Sequence, residues 1–238
     1  MRAGYVQVTA GRKLVAEGLG TALLVAAVVG SGIMAQQLAK DPAVALLCNT
    51  LATGGALVAI LLMFGSISGA QLNPAVTVVM AITKDLTPRL AAGYIAAQVI
   101  GAIAGAMLAN AMFALDPVTL STTVRAGFPK LLSEAIATFG LVGVVICVGR
   151  TRAAITPLAV AAYIVAAYWF TASTSFANPA VTIGRAFSDT YAGIRPADVA
   201  GFIAAQAIGA AAGGVLFSWL QPPASAASRP HASYPTAR

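Results

Sequence analysis

The tripeptide Asn-Pro-Ala occurs twice in this chain, and each copy stands before an apolar run. The copies are Asn73, Pro74 and Ala75, and Asn178, Pro179 and Ala180. Asn is favoured at the N-cap of a helix, and Pro suits the first helical position, where the backbone N–H has no partner within the helix. Each Asn side chain then has a carbonyl for its own helix and amide N–H donors for a passing molecule. An uncharged solute that bears oxygen atoms fits those donors best.

Each tripeptide lies in a segment that is apolar but too short to cross a membrane. The segments are SISGAQLNPAVTVVMAIT, residues 66–83, and STSFANPAVTIGRAFS, residues 173–188. A hydrocarbon core of about 30 Å requires roughly 20 helical residues, so we expect two re-entrant half-helices. Non-helical backbone at membrane depth is tolerated only inside protein or beside a water-filled cavity, which indicates an internal pathway. Two half-helix N-termini that meet in this pathway would repel cations.

The composition places these segments in an integral membrane protein. Of the 238 residues, 59% are hydrophobic and 9% are charged, and the mean hydropathy is +0.85. Soluble domains carry about 25% charged residues, so this chain lacks the polar surface that water requires. Six apolar stretches are long enough to span a membrane, at about residues 14–36, 44–64, 90–113, 131–149, 154–173 and 199–220. The sequence therefore predicts an all-α membrane protein.

The chain offers little material for catalysis or metal binding. Its single histidine, His231, lies in the Pro- and Ala-rich residues 221–238, which we expect to be a disordered tail. Cys48 and Cys147 lie in apolar runs and have neither disulfide nor zinc-site spacing. We therefore predict that the protein is not an enzyme and binds no metal or cofactor.

The two halves of the chain repeat each other in order. AEGLGTALLVAAVVGSG resembles SEAIATFGLVGVVICVG, NPAVTVVMAIT resembles NPAVTIGRAFS, and GYIAAQVIGAIAGAML resembles GFIAAQAIGAAAGGVL. The repeats cover about residues 12–113 and 130–220, and each contains three spans and one half-helix. Because three is odd, the second repeat must be inverted relative to the first. Inverted repeats place a functional site near the midplane, where interrupted helices meet.

The basic residues predict the orientation. Nine of the 14 Lys and Arg residues fall on one side: Arg2, Arg12, Lys13, Lys84, Arg89, Arg150, Arg152, Arg229 and Arg238. The other five are Lys40, Arg125, Lys130, Arg185 and Arg195. The richer side is expected to be cytoplasmic, which puts both termini inside. We interpret the net charge of +7 as a topology signal and a contact with anionic lipid, so we predict no nucleic-acid partner.

With the two tripeptides in an inverted duplication, residues 12–220 resemble the major intrinsic protein family of aquaporins and aquaglyceroporins. The resemblance implies an hourglass of six tilted helices and two half-helices, which form one channel domain over residues 1–220. It also implies a pore in every subunit, a homotetramer and a location in the bacterial inner membrane. Membrane lipid and small neutral solutes are the implied partners.

Two carboxylates, Glu17 and Glu134, lie inside predicted spans at equivalent positions of the two repeats. Each would cost a few kcal/mol if it faced lipid, so both are expected to face inward. We expect each to hold the irregular backbone before a half-helix by accepting N–H bonds, which agrees with the family resemblance. A proton relay is the alternative.

In the family, four positions line a constriction on the extracellular side. The resemblance assigns them to residues of this sequence by their spacing from the two Asn residues. Three of them are Thr53, Ser175 and Val181. The fourth comes from the fifth span. Counting back from Asn178 gives Ala166, whereas aligning the start of the span at Thr156 gives Tyr168, which we prefer.

Val181 departs from the family pattern, which has Arg directly after the second Asn-Pro-Ala. The change removes a fixed positive charge and five donors from the narrowest point, and Thr53 and Ser175 add little bulk. Arg185 lies one helical turn further on. It either restores charge in the vestibule or is a solvent-facing cation near Asp189.

A wide opening favours neutral solutes larger than water. We therefore predict a passive channel for water and for glycerol-sized polyols, urea or metalloid hydroxides. The segment NPAVTIGRAF is similar to a bacterial branch associated with arsenic resistance, which implies arsenite or methylated arsenicals as solutes. The alternatives are a water-selective aquaporin and a secondary-active transporter, since inverted repeats also occur in transporters.

Overall fold

The computed structural model describes residues 8–222, and over that range the chain forms eight α-helices and no strand. In chain order the helices are α1 (Ala10–Leu38), α2 (Pro42–Ser68), α3 (Pro74–Ile82), α4 (Pro88–Met112), α5 (Phe128–Thr151), α6 (Thr156–Phe170), α7 (Pro179–Arg185) and α8 (Pro196–Leu220). A short 3-10 turn, Ala153–Ile155, precedes α6. Residues 223–238 of the predicted tail lie outside the described residues, as do Arg2, Arg229 and Arg238 of the basic set.

Six of the described helices, with α6 counted together with the 3-10 turn before it, are long and apolar enough to cross a membrane, and they coincide with the six predicted spans. The remaining two, α3 and α7, have 9 and 7 residues. At 1.5 Å per residue they are about 14 Å and about 10 Å long, so neither can cross a core of about 30 Å. The predicted all-α fold with two re-entrant half-helices is confirmed.

The half-helices approach the centre of the molecule from opposite sides. Six crossings put the start of α1 and the end of α8 on the same side, which we call the terminal side. After α2, the chain turns inward at Gly69, whose φ of +89° is in the region that favours glycine. Helix α3 then runs from the centre back to the terminal side. Helix α7 runs from the centre to the opposite side, so the two helix N-termini face each other.

The helix starts follow from local sequence. Pro42, Pro88 and Pro196 occupy the first positions of α2, α4 and α8, where a missing N–H costs no hydrogen bond. The Asp41 carboxylate caps α2 by accepting from the Ala43 N–H at 2.7 Å. These signals begin each of the three helices and leave its interior apolar. Large apolar side chains accordingly cover the exposed helix faces, for example Val15, Leu51, Ile100, Val215 and Trp219.

Glycines bring two pairs of helices into close contact. A Cβ atom on Gly101 of α4 would lie 2.1 Å from the Gly18 carbonyl oxygen of α1. At the equivalent place in the second repeat, a Cβ atom on Gly209 of α8 would lie 2.1 Å from the Ala135 carbonyl oxygen of α5. Both distances are far below van der Waals contact, and small residues at such crossings let the helix backbones approach. The crossings fix the positions of the helices that surround the half-helices.

We expect Gly101→Ala and Gly209→Ala each to lower the free energy of unfolding by about 1–3 kcal/mol, because the added methyl group overpacks a backbone contact. Gly149→Ala in α5 is the control, since a Cβ atom there meets nothing within 4 Å and Ala favours a helix over Gly. Thermal unfolding of the purified variants in detergent measures the effect. Equal melting temperatures for all three variants would contradict the close-packing role.

Candidate functional site

Asn73 and Asn178 cap the two half-helices and also link them to each other. Each Oδ1 atom accepts a hydrogen bond from the N–H two residues later in its own helix, at 2.9 Å for Asn73 and 3.0 Å for Asn178. The Nδ2 atom of Asn73 donates to the carbonyl of Ala177 at 2.8 Å, and that of Asn178 donates to the carbonyl of Leu72 at 2.8 Å. One N–H of each amide is left for another acceptor.

The other residues of the two tripeptides complete the first turn of each half-helix. Pro74 and Pro179 occupy the first helical positions, and Ala75 and Ala180 follow them as buried residues. Small side chains at this point allow the two helix N-termini to approach each other. Each N-terminus is equivalent to roughly +0.5 elementary charge, so the junction is a positive focus in the middle of the molecule.

The backbone that leads into each half-helix has an unusual conformation. Ala70 and Leu72 have φ values of 45° and 50°, and the equivalent Ser175 and Ala177 have 50° and 47°. Non-glycine residues rarely adopt positive φ, and such strain persists only where the surroundings hold it in place. Residues with positive φ alternate with residues of ordinary φ, and this turns successive N–H groups toward the protein interior, where they need acceptors.

Glu17 and Glu134 supply those acceptors. The Glu17 carboxylate accepts from the N–H groups of Gln71 at 2.9 Å and Leu72 at 2.7 Å. The Glu134 carboxylate accepts from the N–H groups of Phe176 and Ala177, both at 2.9 Å. Both glutamates are fully buried. A buried carboxylate requires this kind of hydrogen bonding, and the strained backbone gains a fixed acceptor in return.

Two glutamines, which the sequence reasoning missed, connect these carboxylates to the half-helices. Gln98 Nε2 donates to Glu17 at 2.8 Å and to the Thr77 hydroxyl at 3.0 Å. In the second repeat, Gln206 Nε2 donates to Glu134 at 2.6 Å and to the Thr182 hydroxyl at 2.9 Å. The signal was available: the repeated segments GYIAAQVIG and GFIAAQAIG align the two glutamines.

A cavity of about 400 Å³ passes the junction of the half-helices. It extends from Thr156 near the terminal side, past Asn73 and Asn178, to Arg185 near the opposite side. The four residues that sequence reasoning placed in a filter all line it: Thr53, Tyr168, Ser175 and Val181. Ala166, the alternative to Tyr168, is exposed on the outside of α6 and does not line the cavity.

The cavity wall combines apolar surface with a few polar groups. The hydroxyls of Thr53 and Tyr168 lie 3.2 Å apart on one wall. Across the cavity, the buried Ser175 Oγ has no hydrogen-bond partner among the described residues, and neither has the Gln71 Oε1 atom nearer the terminal side. Buried polar atoms without partners are uncommon in folded proteins. The protein itself therefore leaves the hydrogen-bonding capacity of these two atoms unused.

Arg185 lies inside the protein, so the interpretation of this residue as a solvent-facing cation near Asp189 is wrong. Only 2% of the residue is exposed. Its Nε atom donates to the carbonyl of Ala192, and its guanidinium carbon lies 3.4 Å from the centre of the Phe176 ring. Asp189 instead accepts from the N–H and hydroxyl of Thr122, at 2.8 Å and 3.0 Å.

A second arginine, the partly buried Arg125 in the loop between α4 and α5, lies near the same ring. Its guanidinium carbon is 5.0 Å from the Phe176 ring centre, and its nitrogens donate to the carbonyls of Gly193 at 2.6 Å and Tyr191 at 3.2 Å. Burial lowers the pKa of Arg125, and the Glu134 carboxylate opposes that shift. Sequence reasoning used Arg125 only to assign the orientation, because nothing in the local sequence shows that this loop folds inward.

Comparison with known proteins identifies the architecture. Residues 5–167 match the family described as Major intrinsic protein. The chain belongs to the major intrinsic protein family. It is 53% identical over 213 residues to "Aquaglyceroporin AqpS" of Rhizobium meliloti (strain 1021), which covers 90% of this chain and 91% of the relative. "Aquaporin C" of Dictyostelium discoideum is 32% identical over 198 residues, which is 76% of this chain and 71% of that protein.

The solved structures agree on the fold. The X-ray structure of the aquaglyceroporin from Plasmodium falciparum superposes with a TM-score of 0.68 and covers 89% of this chain and 95% of its own. Its sequence identity is 19%, so this likeness concerns the fold alone. This major intrinsic protein is a multi-pass membrane protein of a channel family, as its sequence predicted. Residues 8–222 contain no group of three or more His, Cys, Asp or Glu side chains that could hold a metal ion.

We expect Glu17→Gln to lower the free energy of unfolding by about 1–3 kcal/mol, because the new NH₂ group would face N–H donors and leave them unsatisfied. The exposed Asp116 offers a matched control, and Asp116→Asn should leave stability unchanged. Thermal unfolding of both variants in detergent, monitored by tryptophan fluorescence, is the measurement. If Glu17→Gln has the same melting temperature as the wild-type protein, the carboxylate does not hold the backbone before α3.

Proposed function

We propose that this major intrinsic protein is a passive channel for small uncharged solutes. The reciprocal hydrogen bonds of Asn73 and Asn178 carry the proposal, because they bring two positive helix N-termini together beside the cavity. Among the described residues that line this cavity, none is Asp or Glu. A cation therefore meets a positive focus without a compensating carboxylate, whereas a neutral solute can use the amide N–H donors.

We propose that Thr53, Tyr168, Ser175 and Val181 form the selectivity filter. Val181 occupies the position where the family pattern has Arg, and it contributes a shorter, apolar wall. A wider filter supports solutes larger than water, namely glycerol-sized polyols, urea and metalloid hydroxides such as arsenite or methylated arsenicals. The name of the 53% identical relative, an aquaglyceroporin, agrees with glycerol-sized solutes.

The other candidate functions have less support. A water-selective pore would favour a narrow filter with an arginine beside the second tripeptide, and Val181 stands there instead. A coupled carrier usually needs ionisable or oxygen-rich groups at the midplane. Here Glu17 and Glu134 bind backbone N–H groups, which supports a structural role for both and not a proton relay.

We further propose one channel domain of two inverted repeats, assembled as a homotetramer in the bacterial inner membrane with both termini cytoplasmic. The orientation rests on the basic residues of the terminal side, which carries Arg12, Lys13, Lys84, Arg89, Arg150 and Arg152 among the described residues. Cytoplasmic loops are typically enriched in such residues. Anionic lipid is their expected contact.

Stopped-flow measurements on proteoliposomes test the proposal. We expect water, glycerol, urea and arsenite to enter faster than into protein-free liposomes, with each solute stopping at equal concentrations inside and outside. Solute accumulation that depends on a proton or sodium gradient would identify a coupled carrier. Water flux alone, with glycerol and arsenite at the level of protein-free liposomes, would identify a water-selective pore.

We expect Val181→Arg to reduce glycerol and arsenite flux at least about tenfold, the discrimination that a single methylene-sized change produces in a fitted pocket. Water flux should fall much less, because a water molecule still passes a narrowed filter. Thr53→Phe on the opposite wall should act in the same direction. Val181→Ala serves as the control: it makes the side chain smaller and adds no charge, so glycerol and arsenite flux should not fall.

The outcomes of this series separate three explanations. An equal loss of water and glycerol flux would indicate a damaged pore. Unchanged glycerol and arsenite flux in Val181→Arg would show that Val181 does not line the constriction. If Val181→Arg acts and Thr53→Phe does not, the filter assignment is right for the second repeat alone.

A further inference from the structure

We infer that Arg185 is the filter cation of this chain, displaced by one helical turn from the position that Val181 occupies. The filter then has two separate steps, an apolar step at Val181 that limits size and a cationic step at Arg185 that rejects cations. The inference rests on the proposed channel function, because a filter acts only in an open pore. It divides between two residues what one arginine beside the tripeptide would do alone.

The position of Arg185 on α7 supports this assignment. Both Val181 and Arg185 line the same cavity, and four residues correspond to roughly 6 Å along a helix axis. Arg185 is the last residue of α7, so it lies nearer the opposite side than Val181 does. A solute that enters from that side meets the guanidinium first and the apolar wall next.

The guanidinium is held in a fixed place. It stacks on the Phe176 ring at 3.4 Å and donates from Nε to the Ala192 carbonyl. Phe176 is itself packed edge-on against Phe202, with ring centres 5.1 Å apart. A cation over an aromatic face is attracted by the ring electrons, most strongly where water is excluded. The charge therefore cannot swing out of the cavity wall as a surface arginine would.

The positive charge has no carboxylate within salt-bridge distance among the described residues. The one ion pair found there joins Arg195 to Asp198 at 2.8 Å. Arg125 also contacts the Phe176 ring and adds a second guanidinium, which donates to carbonyl oxygens and not to carboxylates. Because guanidinium stays protonated at physiological pH, a cation at this entrance meets repulsion in addition to that of the helix N-termini.

The same groups suit a neutral solute that bears hydroxyls. Among the described residues, the two terminal nitrogens of Arg185 have no hydrogen-bond partner, and the nearby Ser175 Oγ has none either. Both residues line the cavity. Guanidinium N–H groups donate to hydroxyl oxygens, and the serine hydroxyl can donate or accept. The predicted ligand of this entrance is therefore a small polyol or an undissociated oxyacid, which replaces water hydrogen bonds as it enters.

The test compares Arg185→Gln, which removes the charge and keeps an N–H donor, with Arg185→Lys, which keeps the charge. Arg89→Gln is the control, because Arg89 is exposed on α4 away from the cavity. Proteoliposomes of each variant are assayed for potassium and proton leak with trapped fluorescent indicators, and for glycerol flux by stopped flow. A unit positive charge at about 6 Å from a passing cation raises the energy of that cation by Coulomb repulsion. Removing the charge should therefore raise the cation leak by a factor between about 3, for water-like surroundings, and about 100, for protein-like surroundings. We expect that rise in Arg185→Gln, with wild-type leak in Arg185→Lys and Arg89→Gln at pH 7.

A structural role would instead affect both Arg185 variants alike. Equal leak in Arg185→Gln and Arg185→Lys, or a wild-type leak in a folded Arg185→Gln, overturns the inference. If Arg185→Gln does not fold, the lysine variant gives the test by itself. Its leak should rise reversibly as the pH is raised and the ammonium loses its proton, and this rise should occur at a lower pH than any rise in the wild-type leak, because an ammonium loses its proton before a guanidinium in the same surroundings. A leak that does not change with pH in a folded Arg185→Lys overturns the inference as well.

Failure of the underlying channel proposal would look different. If glycerol entered wild-type proteoliposomes no faster than protein-free liposomes, the channel proposal itself would be wrong, whatever the cation leak of the variants. A wild-type protein that conducts glycerol while Arg185→Gln rejects cations as before leaves the channel in place and removes only the role of Arg185.

Discussion

The structure depends on one constraint: two helices that are too short to cross the membrane leave unpaired backbone groups in its interior. Lipid offers no hydrogen bonds, so every N–H and C=O at that depth needs a partner within the protein. The protein meets this requirement with two buried glutamates and two reciprocal asparagines. The remaining architecture positions these four side chains. Close helix crossings at Gly101 and Gly209 set the walls, and Gln98 and Gln206 orient the carboxylates.

The arrangement that satisfies the backbone also creates the pathway. Because the helix N-termini face each other, their dipoles add at the junction, and because the preceding backbone is not helical, the chain leaves a cavity beside it. The asparagine side chains bind the opposite half of the molecule with one N–H and retain another for a solute. A single set of hydrogen bonds thus accounts for the fold, for the donors in the cavity and for the proposed barrier to cations.

The sequence was sufficient for the elements and for the contacts that the repeat implies. The spans follow from apolar length, the half-helices from Asn73 and Asn178, and the inward position of Glu17 and Glu134 from the cost of exposing charge to lipid. The role of Gln98 could be inferred only by aligning the two repeats. Arg125 and Phe176 were missed, because their function arises where two loops meet and neither loop has a periodic pattern. The choice between Tyr168 and Ala166 turned on the length of a loop, and the burial of Arg185 turned on its contact with Phe176.

The proposed filter shows how a substitution at one position is understood only with its surroundings. Val181 by itself suggests an uncharged, permissive opening. The structure places a guanidinium one turn further along the same half-helix, fixed between an aromatic ring and a carbonyl. Loss of charge at one position of a half-helix therefore does not mean loss of charge from the entrance.

The central claim is that the facing half-helices conduct neutral molecules and exclude ions, and electrical recording tests it most directly. Wild-type protein with verified glycerol flux would be reconstituted into planar bilayers, and the current measured in potassium and sodium chloride. We expect a current equal to that of protein-free bilayers at every applied voltage. A steady cation current through the same preparation that conducts glycerol would contradict the claim.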